Sequence, residues 1–310
     1  MSLSEANLFD TAPPADARSG AAAIKARLTA AASAVLLPVI RRAAGDVGAE
    51  TLDDAWRVAE KLAALGLNHT LGFWDTPAYA AGEVVDIYLA AIERAQTGAT
   101  DGYVSIKPPA LRFDAGAART LARAAAAVNV RLHCDSHGLN VADLTLTFAG
   151  DLLGDLPPGL VSVSLPGRWR RSLGDAEAMM ARGVGIRIVK GQWPDPDDAG
   201  RDLRAGFLEL VDWTATGASS VAVASRDLPL VQESIERLTA AGARCEVEFI
   251  HPSQTPALLE IAARTGAPAR IYVPYGKGFV PSALGVLRRN PRLAFGVLRQ
   301  MVRPARPPRT

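Results

Sequence analysis

The feature that most constrains this chain is an alternation that begins at about residue 53 and repeats eight times. Each unit is a helical segment, a Gly or Pro stop, and a short strand rich in β-branched residues. The first helix, "TLDDAWRVAEKLAALG", has Thr51 or Asp53 as its cap and Gly66 as its stop, and the strand "LNHTLGFW" follows. The later strands read "YVSIKPPAL", "RLHCDSHG", "GLVSVSLPG", "VGIRIVKGQW", "SSVAVASRD", "ARCEVEFIHP" and "ARIYVPYG". Helices that stop on Gly immediately before such runs imply short connections and parallel strands. Eight units in one chain favour a closed barrel over an open doubly wound sheet, and no Gly-rich phosphate loop follows the first strand.

The predicted fold class is therefore α/β, a (βα)8 TIM-like barrel with extra N-terminal and C-terminal helices. Residues 1–20 read as a polar, turn-rich leader, 21–50 as a helical segment, 51–302 as the barrel and 303–310 as a basic, Pro-rich tail. The terminal helices are expected in "AAIKARLTAAASAVLLPVIRRAA", "PSALGVLRRN" and "LAFGVLRQMV".

Charge and cysteine content narrow the function classes. There are 34 basic and 32 acidic residues, a net charge of +2, so no basic stripe points to nucleic acid. The two cysteines, Cys134 and Cys245, give no disulfide framework and fit a reducing cytoplasm. No apolar run is long enough to span a bilayer: "AAASAVLLPVI" is stopped by Pro38 and by Arg41 and Arg42.

Barrel chemistry sits at the C-terminal ends of the strands. Lys107 ends strand two, His133 and Asp135 share a face at the end of strand three, Arg187 and Lys190 lie on strand five, and Glu246 and Glu248 share a face of strand seven. Buried charges must pair or meet a ligand. The bland alternative is a structural ion network such as Lys107 with Asp135. Three chemistries compete at this rim. Lys190 or Lys107 suits a Schiff-base lyase that needs no cofactor. His133, Asp135 and His137 stand at alternate positions, as metal ligands can, but such a run needs further ligands, and no metal is expected. A large polar cofactor suits "VKGQW", where Gly191 admits close backbone approach and Trp193 offers a stacking face.

The ordered series "SIKPPAL", "CDSHG", "RIVKGQW", "VASRD", "EVEFIH" and "RIYVPYG" resembles the proline dehydrogenase family, FAD enzymes built on a distorted (βα)8 barrel, across roughly residues 50 to 302. The resemblance implies oxidation of the C–N bond of proline, or of a related small amine, to an imine by hydride transfer to FAD, with a quinone or other electron acceptor and at most peripheral membrane contact. It implies that Arg187 lies beside the flavin and stabilises its reduced, anionic form. Lys107 and Asp135 would stand on the substrate side. Lys190, Gly191, Gln192, Trp193, Ser225, Arg226 and Glu248 would contact the cofactor, Asp227 completing the Ser-Arg-Asp run. Tyr275, Ser282, Arg288 and Arg289 would stand near the substrate.

The sequence also departs from that pattern. At the family's Tyr-x-x-Arg-Arg carboxylate clamp, an ungapped match puts Ser282, Gly285 and Val286, with Arg288 and Arg289 three residues later. An Arg pair at a helix C-terminus is also an ordinary surface feature. Pro166 stands where a Gln bonds the flavin pyrimidine edge, and Glu248 stands where a Gln is usual. A dehydrogenase of a non-proline amine is the second expectation.

Overall fold

A computed structural model of the chain describes residues 50–250 and 255–279. The expected leader, terminal helices and basic tail, together with Ser282, Gly285, Val286, Arg288 and Arg289, lie outside the described residues.

The first described element, α1 (Leu52–Ala64), opens on a reciprocal cap. The Thr51 hydroxyl accepts the Asp54 N–H, and the Asp54 carboxylate accepts the Thr51 N–H. Strand and helix then alternate: β1 (Asn68–Phe73), α2 (Ala81–Gln96), β2 (Gly102–Ile106), α3 (Ala115–Val128), β3 (Arg131–Cys134), α4 (Ala142–Leu152), β4 (Val161–Pro166) and α5 (Ser172–Met180). The series continues with β5 (Gly185–Val189), α6 (Leu203–Thr214), β6 (Val221–Ala224), α7 (Leu228–Ala240), β7 (Cys245–Ile250), α8 (Thr255–Thr265) and β8 (Ala269–Tyr275). Asp114, Asp202 and Asp227 cap α3, α6 and α7 with their side chains. Every strand pairs in parallel with the next, and β8 pairs with β1, so the sheet closes as an eight-stranded barrel.

Period-two alternation decides what lies on each side of the barrel wall. Leu71, Val104, Leu132, Val163, Ile186, Val223, Val247 and Ile271 face the helices and form one continuous hydrophobic cluster with them. Burying one such side chain is worth about 1.5–3 kcal/mol, so this outer layer supplies most of the driving force for folding. The inward positions are polar: Thr70, Tyr103, Ser105, His133, Ser162, Ser164, Arg187, Glu248, Arg270 and Tyr272 are all buried. Barrels of this type more often fill their centre with branched aliphatic residues. Here hydrogen bonds must hold the centre together.

Two charged layers do so. The lower one closes the N-terminal end. Arg270, with no exposed surface, donates to Glu246 Oε1 at 2.8 Å, to Asp101 Oδ2 at 2.5 Å, and to the carbonyls of His69 and Asp101 at 2.7 and 2.9 Å. Its guanidinium lies 4.3 Å from the centre of the Tyr103 ring. Arg131 joins from β3, reaching Asp101 at 3.2 Å. Between this floor and the upper layer is a polar cavity lined by Tyr103, Arg131, His133, Ser162, Arg187 and Glu246, with room for about one water.

Candidate active site

The upper layer is built by strands that do not adjoin in sequence. Arg187 of β5 sits at its centre, 8% exposed. Its Nε donates to Ser164 Oγ at 2.8 Å, its Nη1 to Glu248 Oε1 at 3.1 Å, and its Nη2 to Asp135 Oδ1. Glu248 is closed off further by Thr70 Oγ1 at 3.0 Å and the Tyr103 hydroxyl at 2.7 Å. Lys107, just past β2, donates from Nζ to Asp135 Oδ2 at 3.2 Å and to the Phe73 carbonyl at 2.8 Å, with the Tyr272 hydroxyl at 3.4 Å. Its ammonium also lies 4.6 Å from the centre of the Trp74 ring. Ser105 donates to Asp135 at 2.8 Å.

Two cations and two carboxylates thus form one buried, charge-balanced quartet. Burial alone would raise the pKa of Asp135, but Lys107 and Arg187 overcome it and hold the carboxyl well below its usual range. Burial works against charge on Arg187 too, and Glu248 and Asp135 outweigh it, so the guanidinium pKa is raised. Tyr272 is pushed well above the usual phenol value by burial and then by Asp135, so it stays a proton donor. His137, beside Asp135 and Lys107, is lowered to about 4, mainly by burial; its Nε2 is buried without a hydrogen-bond partner among the described residues.

A second group of cations lies at the strand ends nearby. Lys190 pairs with Asp227 at 2.8 Å. That carboxylate also caps α7 and is held below its usual range, chiefly by the Lys190 hydrogen bond. Gly191 has φ +88°, and a Cβ there would stand 2.7 Å from Pro166 Cβ, so only Gly lets the chain pass here. Gln192 is exposed, and its carbonyl accepts from Arg168 at 3.2 Å. Trp193 is 41% exposed, and its carbonyl accepts the Trp169 indole N–H at 3.0 Å. Ser225 is buried and accepts the Asp227 N–H at 3.2 Å, while Arg226 is exposed.

Lys107, Asp135, Arg187 and Glu248 therefore meet in one network, and Lys190 through Trp193 line the exit of β5 beside Ser225, Arg226 and Asp227. Tyr275 stands elsewhere. It is 2% exposed, packs against Phe73 at 5.4 Å between ring centres, and faces the helices. The tyrosine in the network is Tyr272, three residues earlier and of opposite parity on β8. Sequence reasoning also missed Thr70, Tyr103, Ser105 and Ser164. Parity along the strands was the available signal: Tyr103 and Ser105 alternate with Val104 and Ile106 and share the face of Lys107. Glu246, equated in sequence with Glu248, belongs to the floor with Arg270. Among the described residues, no group of His, Cys, Asp and Glu is arranged to hold a metal ion.

No protein-family model matches this chain, and no curated protein matches it in sequence. Solved structures do match. One is proline utilization A (PutA) from Bdellovibrio bacteriovorus, inactivated by N-propargylglycine, with TM-score 0.67 and 16% identity over 83% of this chain and 33% of that one. The barrel shares that chain's fold. A PutA with proline bound in remote sites superposes with TM-score 0.68 and 16% identity, over 90% of this chain and 35% of that one. PutA from Corynebacterium freiburgense gives 0.66 and 18%, over 92% and 34%. The chain thus spans about a third of the length of the PutA chains it matches, and at these identities the likeness shows the fold.

Proposed function

We propose that this protein is a divergent, proline dehydrogenase-like flavoenzyme that oxidises the C–N bond of proline or a related small amine to an imine. The observation that carries the reading is the donor set of the upper layer. Arg187 has five N–H donors and, among the described residues, three acceptors, so two N–H groups are left for a ligand. Asp135 and Glu248 have their oxygens taken up by protein donors, Lys107 spends its three N–H groups on Phe73, Asp135 and Tyr272, and the Tyr272 O–H reaches Asp135 at 3.5 Å. Such a site suits an electron-rich partner, as an isoalloxazine edge or a substrate carboxylate is.

FAD fits the residues present in most respects. Gly191 leaves a gap that a Cβ would fill, Arg187 offers spare N–H groups, and Lys190, Arg226 and Arg168 supply positive charge at the strand ends. Trp193 presents an open aromatic face. Pro166 does not fit, because it lacks the side-chain amide that the resemblance leads one to expect at the pyrimidine edge. When bound, FAD would accept the hydride. The chain's own residues would bind and orient. Arg187 would fix the ring edge, Asp135 would stay ionised and hold Lys107 and Arg187 in place, and Tyr272, whose O–H reaches Asp135 at a long 3.5 Å, would turn it to the substrate or the ring. Reoxidation by a quinone or another acceptor, in the cytoplasm or at a membrane surface, belongs to this reading. Among the described residues no helix is long and apolar enough to cross a membrane.

A Schiff-base lyase is less well supported. Lys107 and Lys190 are both ion-paired, and an ammonium has no lone pair for a carbonyl. A non-proline amine is favoured by Glu248 and Pro166, which change the cofactor's surroundings relative to the family pattern. An absorption spectrum of purified protein after FAD addition, followed by anaerobic titration with proline and a panel of amines, tests the proposal. Bleaching by proline supports the narrower reading, and bleaching only by another amine supports the wider one. A protein that takes up no flavin ends both.

A further inference from the structure

We propose that His133 is a positioning residue for Arg187, acting through Ser164 as a neutral imidazole with its proton on Nδ1, and that one buried water beneath Ser162 completes the chain. The role given to Arg187 rests on the flavoenzyme reading, whereas the tautomer does not. His133 has no exposed surface. Its Nε2 lies 2.8 Å from Ser164 Oγ and its Nδ1 2.8 Å from Ser162 Oγ. Because the two β4 serines lie two residues apart on one face, the ring is clamped edge-on between them.

Directions follow from donor counting. Arg187 Nε can only donate, so Ser164 Oγ accepts from it. The Ser164 hydroxyl hydrogen then needs an acceptor, and His133 Nε2 is the one within reach among the described residues. A buried hydroxyl left without one would be heavily disfavoured. Nε2 is therefore the lone-pair nitrogen, and Nδ1 carries the hydrogen and donates to Ser162. An imidazolium would force both serines to accept and would add a third cation to a layer that balances two cations with two carboxylates. Burial and then Arg187 hold the imidazole neutral; Asp135, 3.8 Å from Nε2, pulls the other way and is outweighed, with Arg131 and Arg270 adding to Arg187. Ser162 must pass on its own hydrogen, and it borders the water-sized polar cavity above Glu246. A water there, accepting from Ser162 and donating to Glu246, links the floor to the active-site layer. His133 thus fixes Ser164 and, through it, the Nε edge of Arg187, on the side where Asp135 accepts from Nη2.

The first experiment is a long-range 1H–15N correlation spectrum of uniformly 15N-labelled protein, with the His133 signals assigned by their loss in His133→Gln. The expected pattern is the neutral Nδ1–H tautomer, unchanged from pH 8 to pH 5.5. A neutral Nε2–H pattern, or an imidazolium within that range, overturns the proposal. This readout needs no flavin, so failure of the protein to take up FAD would count against the cofactor and leave the tautomer decided. The second experiment uses the FAD-loaded protein and the amine that reduces it best. His133→Gln, whose amide oxygen can accept from Ser164, should keep flavin reduction within about threefold of wild type. His133→Phe should slow it about tenfold, with KM nearly unchanged. Equal losses in the two variants, or an effect on KM alone, would also overturn it.

Discussion

Glu248 shows how much one atom pair can matter inside a barrel. Its carboxylate accepts from Arg187, Tyr103 and Thr70, and it balances one of the two cations of the upper layer. Glu248→Gln keeps the shape but leaves the quartet with one excess positive charge and turns an acceptor into an N–H donor. We expect a folded protein destabilised by about 1–3 kcal/mol in urea titration. The excess charge should also make bound FAD easier to reduce, and an equilibrium redox titration reads this directly. A potential that stays put or becomes more negative would show that the quartet does not set the field at the ring. The identity of these partners was only half legible in sequence. Lys107, Asp135 and Arg187 announce themselves as charges in apolar strands, whereas Ser164 and Thr70 are ordinary strand residues until their neighbours are known.

At the scale of the elements, β1 carries two tightly surrounded positions, Gly72 and His69. Gly72 pairs in register with Pro274 and lies beneath the tip of the Tyr272 side chain, so a Cβ on it would stand 2.0 Å from the Tyr272 hydroxyl. Gly72→Ala should therefore push Tyr272 away from Asp135 and Lys107. We expect a loss of about 1–3 kcal/mol, as for overpacked cores, together with weaker flavin uptake. Full stability with unchanged FAD affinity would mean that the ring moves aside freely. The same strand carries His69, which packs edge-on against Trp56 of α1 at 5.7 Å, with neither ring nitrogen hydrogen-bonded among the described residues. Burial, and then Arg270, lowers its pKa to about 4. The unfolded chain takes up this proton near pH 6.5 and the folded one only near 4, so stability is lost as pH falls from about 6.5 towards 4. His137 is lowered to the same value and adds to the loss. Asp101 behaves as a carboxylate should: burial raises its pKa, Arg270 and Arg131 lower it further than that, and its stabilisation is lost only below about pH 4. Melting temperature against pH should thus decline in two stages. His69→Phe should flatten the upper stage and Asp101→Asn the lower. Parallel curves for wild type and both variants would refute the assignment.

At the scale of the whole molecule, closure of the sheet turns eight local patterns into one site. A ligand that binds only the closed barrel stabilises it by mass action, so FAD at about a hundred times its Kd should add about 2.7 kcal/mol. For a barrel of this size that is a rise of about 5–11 °C in Tm, which a thermal melt with and without FAD would detect. No rise at saturating FAD would place flavin outside this protein's chemistry. The strand and helix sequence by itself determined the (βα)8 architecture, because helix periodicity, Gly stops and β-branched runs are local properties that short stretches express without knowing their neighbours. It also marked which charges face inward, since parity along a strand is local. Only the tertiary structure decided how those charges pair: Glu248 with Arg187 and Tyr103, Glu246 with the Arg270 floor, and Tyr272 rather than Tyr275 in the cluster. These contacts join residues as far apart as Thr70 and Glu248, and their geometry exists only once the eighth strand has met the first.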